Sequence, residues 1–360
     1  MASVLVVGTG LIGTSIGLAL HDVRRVLLAD ASAGRVREAV DRGAGTAWDG
    51  HTRVDLVVVA VPPAQTGAIL IDLQARKIGL TFTHVASCQS RVQQDLESTA
   101  GDLSAICGGH PLAGREFTGP AGATATMFLG RPWVACPLPS TSDHALAAVT
   151  DLALACGAEP AVMSPTDHDR AVALSSHLPQ VAASALAARL GGSDARTVGV
   201  SGPGLADTTR IAASDAGLWT EVLTANAAHV APLVSLLAED LRQAAAALTA
   251  LASQPNDPQP LAAVRDLLIR GNAGRALVPV KRGVRDSDVA VVAVRIPDEP
   301  GKLAELLVRS AEAGVNVEDV RVEHLSGRQT GVVELLVRGA ERETLTAALS
   351  AAGLEVLRSL

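Results

Sequence analysis

The chain has 360 residues, 48% of them hydrophobic and 19% charged, with a formal net charge of −7. This mix is typical of a globular protein of about two or three domains, and the acidic balance argues against a nucleic-acid-binding surface. The chain contains no tyrosine, which excludes every mechanism that needs a tyrosine as its acid or base.

Four cysteines occur without metal-ligand spacing, so we expect reduced thiols and no metal site. No apolar run reaches the roughly 18 residues of a membrane span. The N-terminus lacks the basic region of a signal peptide and leads directly into an apolar run. We therefore expect a cytoplasmic protein without a membrane partner.

Short apolar runs alternate with helical patterns through the first 164 residues. Strands are predicted at 3–7, 25–29 and 55–61, and the segments IGLTFTHVA and RPWVACPL predict further strands. Wholly apolar strands that alternate with helices are typical of a parallel sheet covered on both faces. We predict a Rossmann-like α/β domain over residues 1–164.

Long Ala- and Leu-rich helices are predicted from Thr166 to about Gly274, and residues 215–251 read as one uninterrupted helical pattern. They are apolar over most of their circumference, which indicates burial, in part at a subunit interface. We predict an all-α domain over residues 165–284 that binds substrate and forms a homodimer. The order β-α-β-β-α-β after a polar linker predicts a ferredoxin-like domain over residues 285–360.

A GxGxxG motif follows the first strand and opens a helix. Gly8 would form the tight turn, Gly10 would admit the pyrophosphate, and Gly13 would allow close helix–strand packing. Asp30, at the end of the second strand, would accept hydrogen bonds from a ribose and repel a 2′-phosphate, which favours NAD over NADP. The expected cofactor-binding residues are Gly8, Gly10, Leu11, Ile12, Gly13, Asp30 and Val61.

Three further clusters have the residue types of an active site: HPLAGRE (110–116), SHLPQ (176–180) and DTTR (207–210), the last followed by SDAGLW and an asparagine. With the glycine motif they occur in the order and at the spacing of the TyrA family, the prephenate and arogenate dehydrogenases, which the chain resembles over residues 1 to about 280. The C-terminal segment with PDEPGKLAELLVRSAEAGVNVEDV resembles an ACT domain.

The resemblance implies NAD-dependent oxidative decarboxylation of prephenate to 4-hydroxyphenylpyruvate in tyrosine biosynthesis. His110 matches the histidine that binds the C4 hydroxyl, and a neutral imidazole with the ordinary pKa of about 6.5 suits a general base. Ser87 matches a serine that contacts the same hydroxyl. Ala86 and Gln89, beside it, depart from the usual GSxK pattern.

The resemblance also implies a set of substrate contacts. Arg210 matches the arginine that binds the ring carboxylate, and Asp207 would orient it, unless the two form an ordinary i,i+3 ion pair. Glu116 matches a glutamate near the pocket mouth, or is a solvated charge. His177 lies in the SHLP motif, and Gln180 replaces a second histidine that contacts the substrate side chain. That replacement leaves the preference between prephenate and arogenate open.

Several other residues receive no role from the resemblance. Trp219 and Asn226 could as easily be packing and helix-capping residues as site residues. Four histidines are interpreted as surface or helix residues: His84, His144, His168 and His229.

The ACT resemblance implies an amino acid effector, with tyrosine expected. Asp298, Gly301 and Asn316 match the loop and turn that bind such effectors, and the alternative is a domain that serves only as an oligomer interface. Two other functions stay open for the whole chain. One is an antibiotic-pathway dehydrogenase for an amino-substituted prephenate, and the other is a non-catalytic amino acid sensor.

Overall fold

The structure is a computed structural model that describes residues 3–99, 101–114, 119–278, 288–324 and 330–357. The expectation for Glu116 lies outside the described residues. The chain forms two compact units, residues 1–238 and 239–360.

An eight-stranded sheet is the centre of the first unit, in the order β3-β2-β1-β4-β5-β6-β7-β8. Its pairs are parallel apart from β7, which runs antiparallel to β6. The predicted parallel sheet is therefore present with two reversed strands at one edge, β7 and β8. The strands are Ser3–Val7 (β1), Arg25–Ala29 (β2), Thr46–Ala47 (β3), Val54–Val59 (β4), Gly79–His84 (β5), Ile106–Pro111 (β6), Pro132–Pro137 (β7) and Glu159–Val162 (β8).

The central strands have apolar side chains on both faces because helices cover both. Val4, Leu5 and Val6 of β1 are fully buried, and so are Val57 and Val58 of β4. The chain leaves β1 toward β2 on one side and later returns to β4 on the other. This reversal creates a crevice at the carboxyl ends of β1 and β4, where open α/β sheets bind ligands.

Five helices accompany this sheet: Leu11–Leu20 (α1), Ala33–Asp41 (α2), Pro63–Ala75 (α3), Gln89–Glu97 (α4) and Asp143–Ala155 (α5). α1 packs on the sheet through Ile16 and Leu20, and α3 through Leu70 and Leu73. These apolar contacts fix the helix N-termini at the carboxyl edge of the strands.

Helical segments follow from residue 165 as predicted, but the structure breaks the pattern expected to be continuous over residues 215–251. The chain bends by 100° at Asn226, which separates two helices. The helices are Pro165–Val172 (α6), Leu178–Ala187 (α7), Ala195–Gly199 (α8), Pro203–Thr209 (α9), Ala216–Ala225 (α10), Ala227–Ser253 (α11) and Pro258–Arg275 (α12). A π-helical turn, Ala173–His177, joins α6 to α7.

The second unit contains a four-stranded antiparallel sheet in the order β10-β11-β9-β12. The strands are Val289–Pro297 (β9), Val317–His324 (β10), Thr330–Arg338 (β11) and Glu355–Leu357 (β12), and the helices are Lys302–Glu312 (α13) and Arg342–Ala351 (α14). The predicted element order β-α-β-β-α-β is present. Val294, Leu306, Val333 and Leu345 form its core.

One helical segment, residues 165–190, is long and apolar enough to cross a membrane by length and composition. Polar residues interrupt this segment, so it contains no unbroken apolar run. Its polar residues His168, Asp169, His177 and Gln180 are buried within the first unit.

Candidate active site

The glycine motif lies in the crevice between β1 and β4. Gly8 has φ +102°, and a Cβ atom there would lie 2.3 Å from the carbonyl oxygen of Ala60. A Cβ on Gly13 would lie 1.9 Å from the Gly8 oxygen, whereas one on Gly10 would meet nothing within 4 Å. Gly8 and Gly13 therefore make the close turn possible, and Gly10 leaves open space at the N-terminus of α1. This geometry fits a dinucleotide pyrophosphate.

Asp30 follows β2 at the same edge and is hydrogen-bonded to the loop. Its Oδ2 accepts from the backbone N–H of Thr9 at 2.8 Å, and its Oδ1 accepts from that of Ser32 at 2.8 Å. Oδ2 also accepts from the Thr9 hydroxyl at 3.2 Å, so Oδ1 is the oxygen that keeps a second lone pair for a ribose hydroxyl. Val61, also at this edge, is half-buried and faces the Gly8 turn, where a Gly8 Cβ would lie 3.0 Å from its Cγ1.

His110 lies near the end of β6 and begins a chain of buried hydrogen bonds. Its Nδ1 is 2.8 Å from Nε2 of His168, and Nδ1 of His168 is 2.8 Å from Oδ1 of Asp169. Asp169 accepts two backbone N–H bonds from the first turn of α4, from Gln89 and Ser90, at 2.8 Å each. From the sequence, His168 is interpreted as a surface or helix histidine. In the structure it is fully buried and belongs to this chain of hydrogen bonds.

The order of partners assigns the protons in this chain. Asp169 accepts only, so Nδ1 of His168 carries a hydrogen and its Nε2 accepts from Nδ1–H of His110. Nε2 of His110 then carries the lone pair, and it has no hydrogen-bond partner among the described residues. The arrangement therefore holds His110 in the tautomer that a general base needs.

The electrostatics keep this base neutral. Burial, followed by the charge of His168, lowers the pKa of His110 to about 3, below the ordinary value assumed from sequence. Burial acts to raise the pKa of Asp169, but hydrogen bonds from His168, Gln89 and Ser90 hold it below its usual value. An ionised Asp169 can stabilise the cation that forms when His110 takes a proton.

Ser87 lies in the turn between β5 and α4 and is half-buried. The turn is held from inside by His84, whose Nδ1 accepts from the backbone N–H of Ala86 at 3.3 Å. Burial lowers the pKa of His84 to about 4, so this histidine is a neutral structural acceptor. Ser87 follows β5, and His110 lies near the end of β6, the strand paired with β5.

His177, on the π-helical turn, is connected to the same cluster through Asn226. The Asn226 amide donates to the backbone oxygen of Asp169 at 2.8 Å and to Nδ1 of His177 at 3.1 Å, and it accepts from His229 at 2.9 Å. His177 is therefore an Nε2–H donor, and burial lowers its pKa to about 4. Trp219 contacts the His177 ring edge-on, with centroids 5.9 Å apart.

The remaining predicted substrate residues lie on α7 and at the end of α9. Gln180 is 5% exposed, and its Nε2 donates to the backbone oxygen of Ile211 at 3.0 Å. That bond connects α7 to the short 3-10 helix that begins at Arg210. Asp207 and Arg210 are both exposed in the single chain. The structure thus connects His110 and His177 through one hydrogen-bonded cluster, has Ser87 in the turn before α4, and has Asp207 and Arg210 on an exposed segment.

The predicted effector residues Asp298, Gly301 and Asn316 are all in the second unit. Gly301 has φ +88° and begins α13, a conformation that favours glycine. Asp298 and Asn316 are exposed, and Asn316 donates to Glu318 at 3.0 Å.

Two family profiles match the chain. Residues 16–162 match "Prephenate dehydrogenase, nucleotide-binding domain", and residues 164–258 match "Prephenate dehydrogenase, dimerization domain". A relative described as "Probable prephenate dehydrogenase NovF", from Streptomyces niveus, is 34% identical over 96% of both chains. The chain belongs to the prephenate dehydrogenase family. The expected NAD-dependent oxidoreductase is confirmed.

Other relatives of this dehydrogenase agree. A cyclohexadienyl dehydrogenase from Zymomonas mobilis is 30% identical over 71% of this chain and 90% of its own length. The structure of Aquifex aeolicus prephenate dehydrogenase with hydroxyphenyl propionate and NAD⁺ covers 76% of this chain and 98% of its own, at 23% identity and a TM-score of 0.62. That likeness supports the fold of the first part of the chain.

Sequence reasoning missed three members of the dehydrogenase site: His168, Asp169 and Asn226. Their signal was available but weak. His168 and Asp169 are adjacent polar residues in the otherwise apolar 165–190 segment, and polar residues there are either exposed or paired. Asn226 interrupts an apolar helical pattern, which indicates a cap or a buried amide.

Proposed function

We propose that this dehydrogenase converts prephenate to 4-hydroxyphenylpyruvate and CO2, with His110 as the base. NAD, when bound, supplies the hydride acceptor for C4. His110 Nε2 takes the proton of the C4 hydroxyl, and the C4 carbonyl that results drives loss of the ring carboxylate. The imidazolium returns its proton to the new phenolate oxygen, so the protons balance. The hydrogen-bonded chain from His110 through His168 to Asp169 carries the proposal.

The nucleotide loop supports NAD as the cofactor. Asp30 places a carboxylate beside the glycine turn, where it accepts ribose hydroxyls and repels a 2′-phosphate. We expect a higher kcat/KM with NAD than with NADP. Equal or better use of NADP would contradict this role of Asp30.

Arg210 is proposed to bind the ring carboxylate, since its planar guanidinium can hold two oxygens, with Asp207 beside it. Glu116 is proposed near the pocket mouth. His177 and Gln180 are proposed for the side chain of the substrate. Gln180 is uncharged and already donates to Ile211, which favours no particular charge on that side chain. Arogenate and an amino-substituted prephenate are therefore the alternative substrates.

The deciding experiment follows NADH production with prephenate and arogenate side by side. We expect turnover of prephenate by the wild-type protein. A His110→Asn variant should lose about 10²- to 10⁴-fold in kcat because it lacks the base, while its NAD affinity stays within twofold. An inactive wild-type protein that still binds NAD would favour the sensor alternative, and wild-type kcat in the variant would remove His110 as the base.

We propose the division into residues 1–164, 165–284 and 285–360, with the middle part as the dimer interface. Leucines along α11 and α12 are more than half exposed in the single chain: Leu236, Leu241, Leu248 and Leu268. Several exposed large apolar side chains of this kind are typical of an interface between subunits. A monomeric mass by light scattering at micromolar concentration would contradict the dimer. The family's biosynthetic role favours a cytoplasmic location.

We propose that residues 285–360 form an ACT domain that binds tyrosine through Asp298, Gly301 and Asn316. The β-α-β-β-α-β order and the left-handed Gly301 at the start of α13 support it. The double variant Asp298→Asn/Asn316→Ala should lose tyrosine inhibition and keep turnover. Undiminished inhibition would place tyrosine elsewhere.

A further inference from the structure

The first residue of α4, Gln89, contacts three separate parts of the site. Its side chain is 2% exposed. Nε2 donates to the backbone oxygen of Ala86 at 2.6 Å and to that of Gly109 at 3.2 Å. Its backbone N–H donates to Asp169 at 2.8 Å. Two carbonyl acceptors at one end of the amide identify that end as the nitrogen.

These two carbonyls directly precede Ser87 and His110. A peptide unit is planar, so holding the Ala86 carbonyl also holds the nitrogen and Cα of Ser87. The same holds for Gly109 and His110. One amide group therefore connects the backbone of the serine turn directly to that of the histidine strand.

No sheet ladder performs this task at that point. The pairing of β5 with β6 comprises Phe82 with Ile106, Thr83 with Cys107 and His84 with Gly108. Ser87 and His110 both lie beyond its last pair. Gly108 also makes room for the amide, because a Cβ there would lie 2.3 Å from Oε1 of Gln89. The bridge thus replaces the missing ladder bonds between the two segments.

We propose that Gln89 is a positioning residue that holds Ser87 and His110 in register for the reaction. This inference rests on the proposed function. A neutral amide suits the place, because it supplies two donors without adding a cation near three enclosed histidines, His84, His110 and His168. An added cation would lower the pKa of His110 further.

Three variants test the role in the full-length protein. Gln89→Met keeps the length of the side chain and the backbone N–H to Asp169 but removes the two amide bonds. We expect its kcat to fall by about 10- to 100-fold, because small displacements of reacting groups are costly. NAD affinity should stay within twofold. Gln94→Met, on the exposed face of the same helix, is the matched control and should keep wild-type kcat.

Gln89→Lys is the rescue variant, since an ammonium can donate to both carbonyls. It should regain most of the lost kcat. Its acid limb in the pH profile of kcat/KM should move to lower pH, because the added cation disfavours protonated His110. Wild-type kcat in Gln89→Met would overturn the proposal. So would losses of kcat in Gln89→Met and Gln89→Lys that only match the fall in each variant's melting temperature. An inactive wild-type protein would instead defeat the proposed function itself.

Discussion

The proton on His110 is controlled by a carboxylate that does not touch it. Asp169 accepts from Nδ1 of His168, and this leaves Nε2 of His168 to accept from His110. Asp169 is itself held by two N–H groups at the start of α4, where an anion is favoured. The direction of the whole chain therefore depends on Asp169 being an acceptor.

Replacing that acceptor should reverse the chain. In Asp169→Asn an NH2 group at the Oδ1 position would donate to Nδ1 of His168 and lose the bond from the Gln89 N–H, while the amide oxygen would keep the bond from the Ser90 N–H. His168 would then donate to His110, whose proton would move to Nε2, where the base needs its lone pair. We expect kcat to fall by about 10²- to 10⁴-fold with NAD affinity unchanged, measured by initial rates and NAD titration.

Asp167 provides the control for this change. It lies on the same helix, its side chain is 57% exposed, and it contacts only its local neighbours Ser164 and Arg170 among the described residues. Asp167→Asn should keep kcat within about twofold, because an exposed ion pair of this kind contributes little. Equal losses in both variants would show that the tautomer argument is wrong.

Gly10 and Gly13, in the turn before and at the start of α1, have different roles: one in ligand binding and the other in folding. A Cβ on Gly10 meets no atom within 4 Å, whereas one on Gly13 lies 1.9 Å from the Gly8 oxygen. Gly10→Ala should therefore fold normally but bind NAD at least tenfold more weakly, because the pyrophosphate approaches there. Gly13→Ala should lower the melting temperature. A Gly10→Ala protein with wild-type NAD affinity would contradict the binding of the pyrophosphate at Gly10.

The bend between α10 and α11 depends on one buried amide. Asn226 is 2% exposed and uses both amide hydrogens and its oxygen. Asn226→Ala removes three hydrogen bonds and leaves the buried Nδ1 of His177 unpaired, at a cost of about 1–3 kcal/mol for that group. We expect a clear fall in the free energy of unfolding, measured by urea titration.

Asn272, exposed on α12, is the matched asparagine. Asn272→Ala should change the free energy of unfolding by no more than about 0.5 kcal/mol, as is usual for surface substitutions. If Asn226→Ala were equally mild, the amide would not hold the bend.

Local patterns in the sequence predicted the elements that have strong local signals. The apolar strands β1, β2 and β4 and the C-terminal element order were predicted because periodicity and turn residues are local. β6 was missed as a strand, since its two glycines and a histidine give a weak strand pattern. The bend at Asn226 was missed because no glycine or proline marks it.

The residues of the site also divide into those that a local motif reveals and those that only the fold brings together. The glycine motif and His110 come from short motifs that can be recognised alone. The contact between His110 and His168 joins residues 58 positions apart, and only the fold brings them together. The role of Asp169 follows from that contact, so no pattern within either segment could have predicted it.

At the scale of the whole molecule, the enclosed histidines make stability depend on pH. Burial lowers the pKa of His84 and of His177 to about 4 and that of His110 to about 3. In the unfolded chain the same groups take up protons below about pH 6.5. Between about pH 4 and 6.5 the unfolded state therefore binds more protons, and the free energy of unfolding falls as pH falls.

Each such histidine contributes a slope of at most about 1.4 kcal/mol per pH unit in that window. Urea unfolding followed by tryptophan fluorescence at pH 7.5, 6.5, 5.5 and 4.5 should show a plateau above pH 6.5 and a steep decline below it. His84→Gln removes one of the three groups and should flatten the decline. His144→Gln, at an exposed position on α5, should leave the slope unchanged. Stability that stays constant from pH 7.5 to 4.5 would show that these histidines are protonated in the folded protein, and neutral His110 would then lose its support as the base.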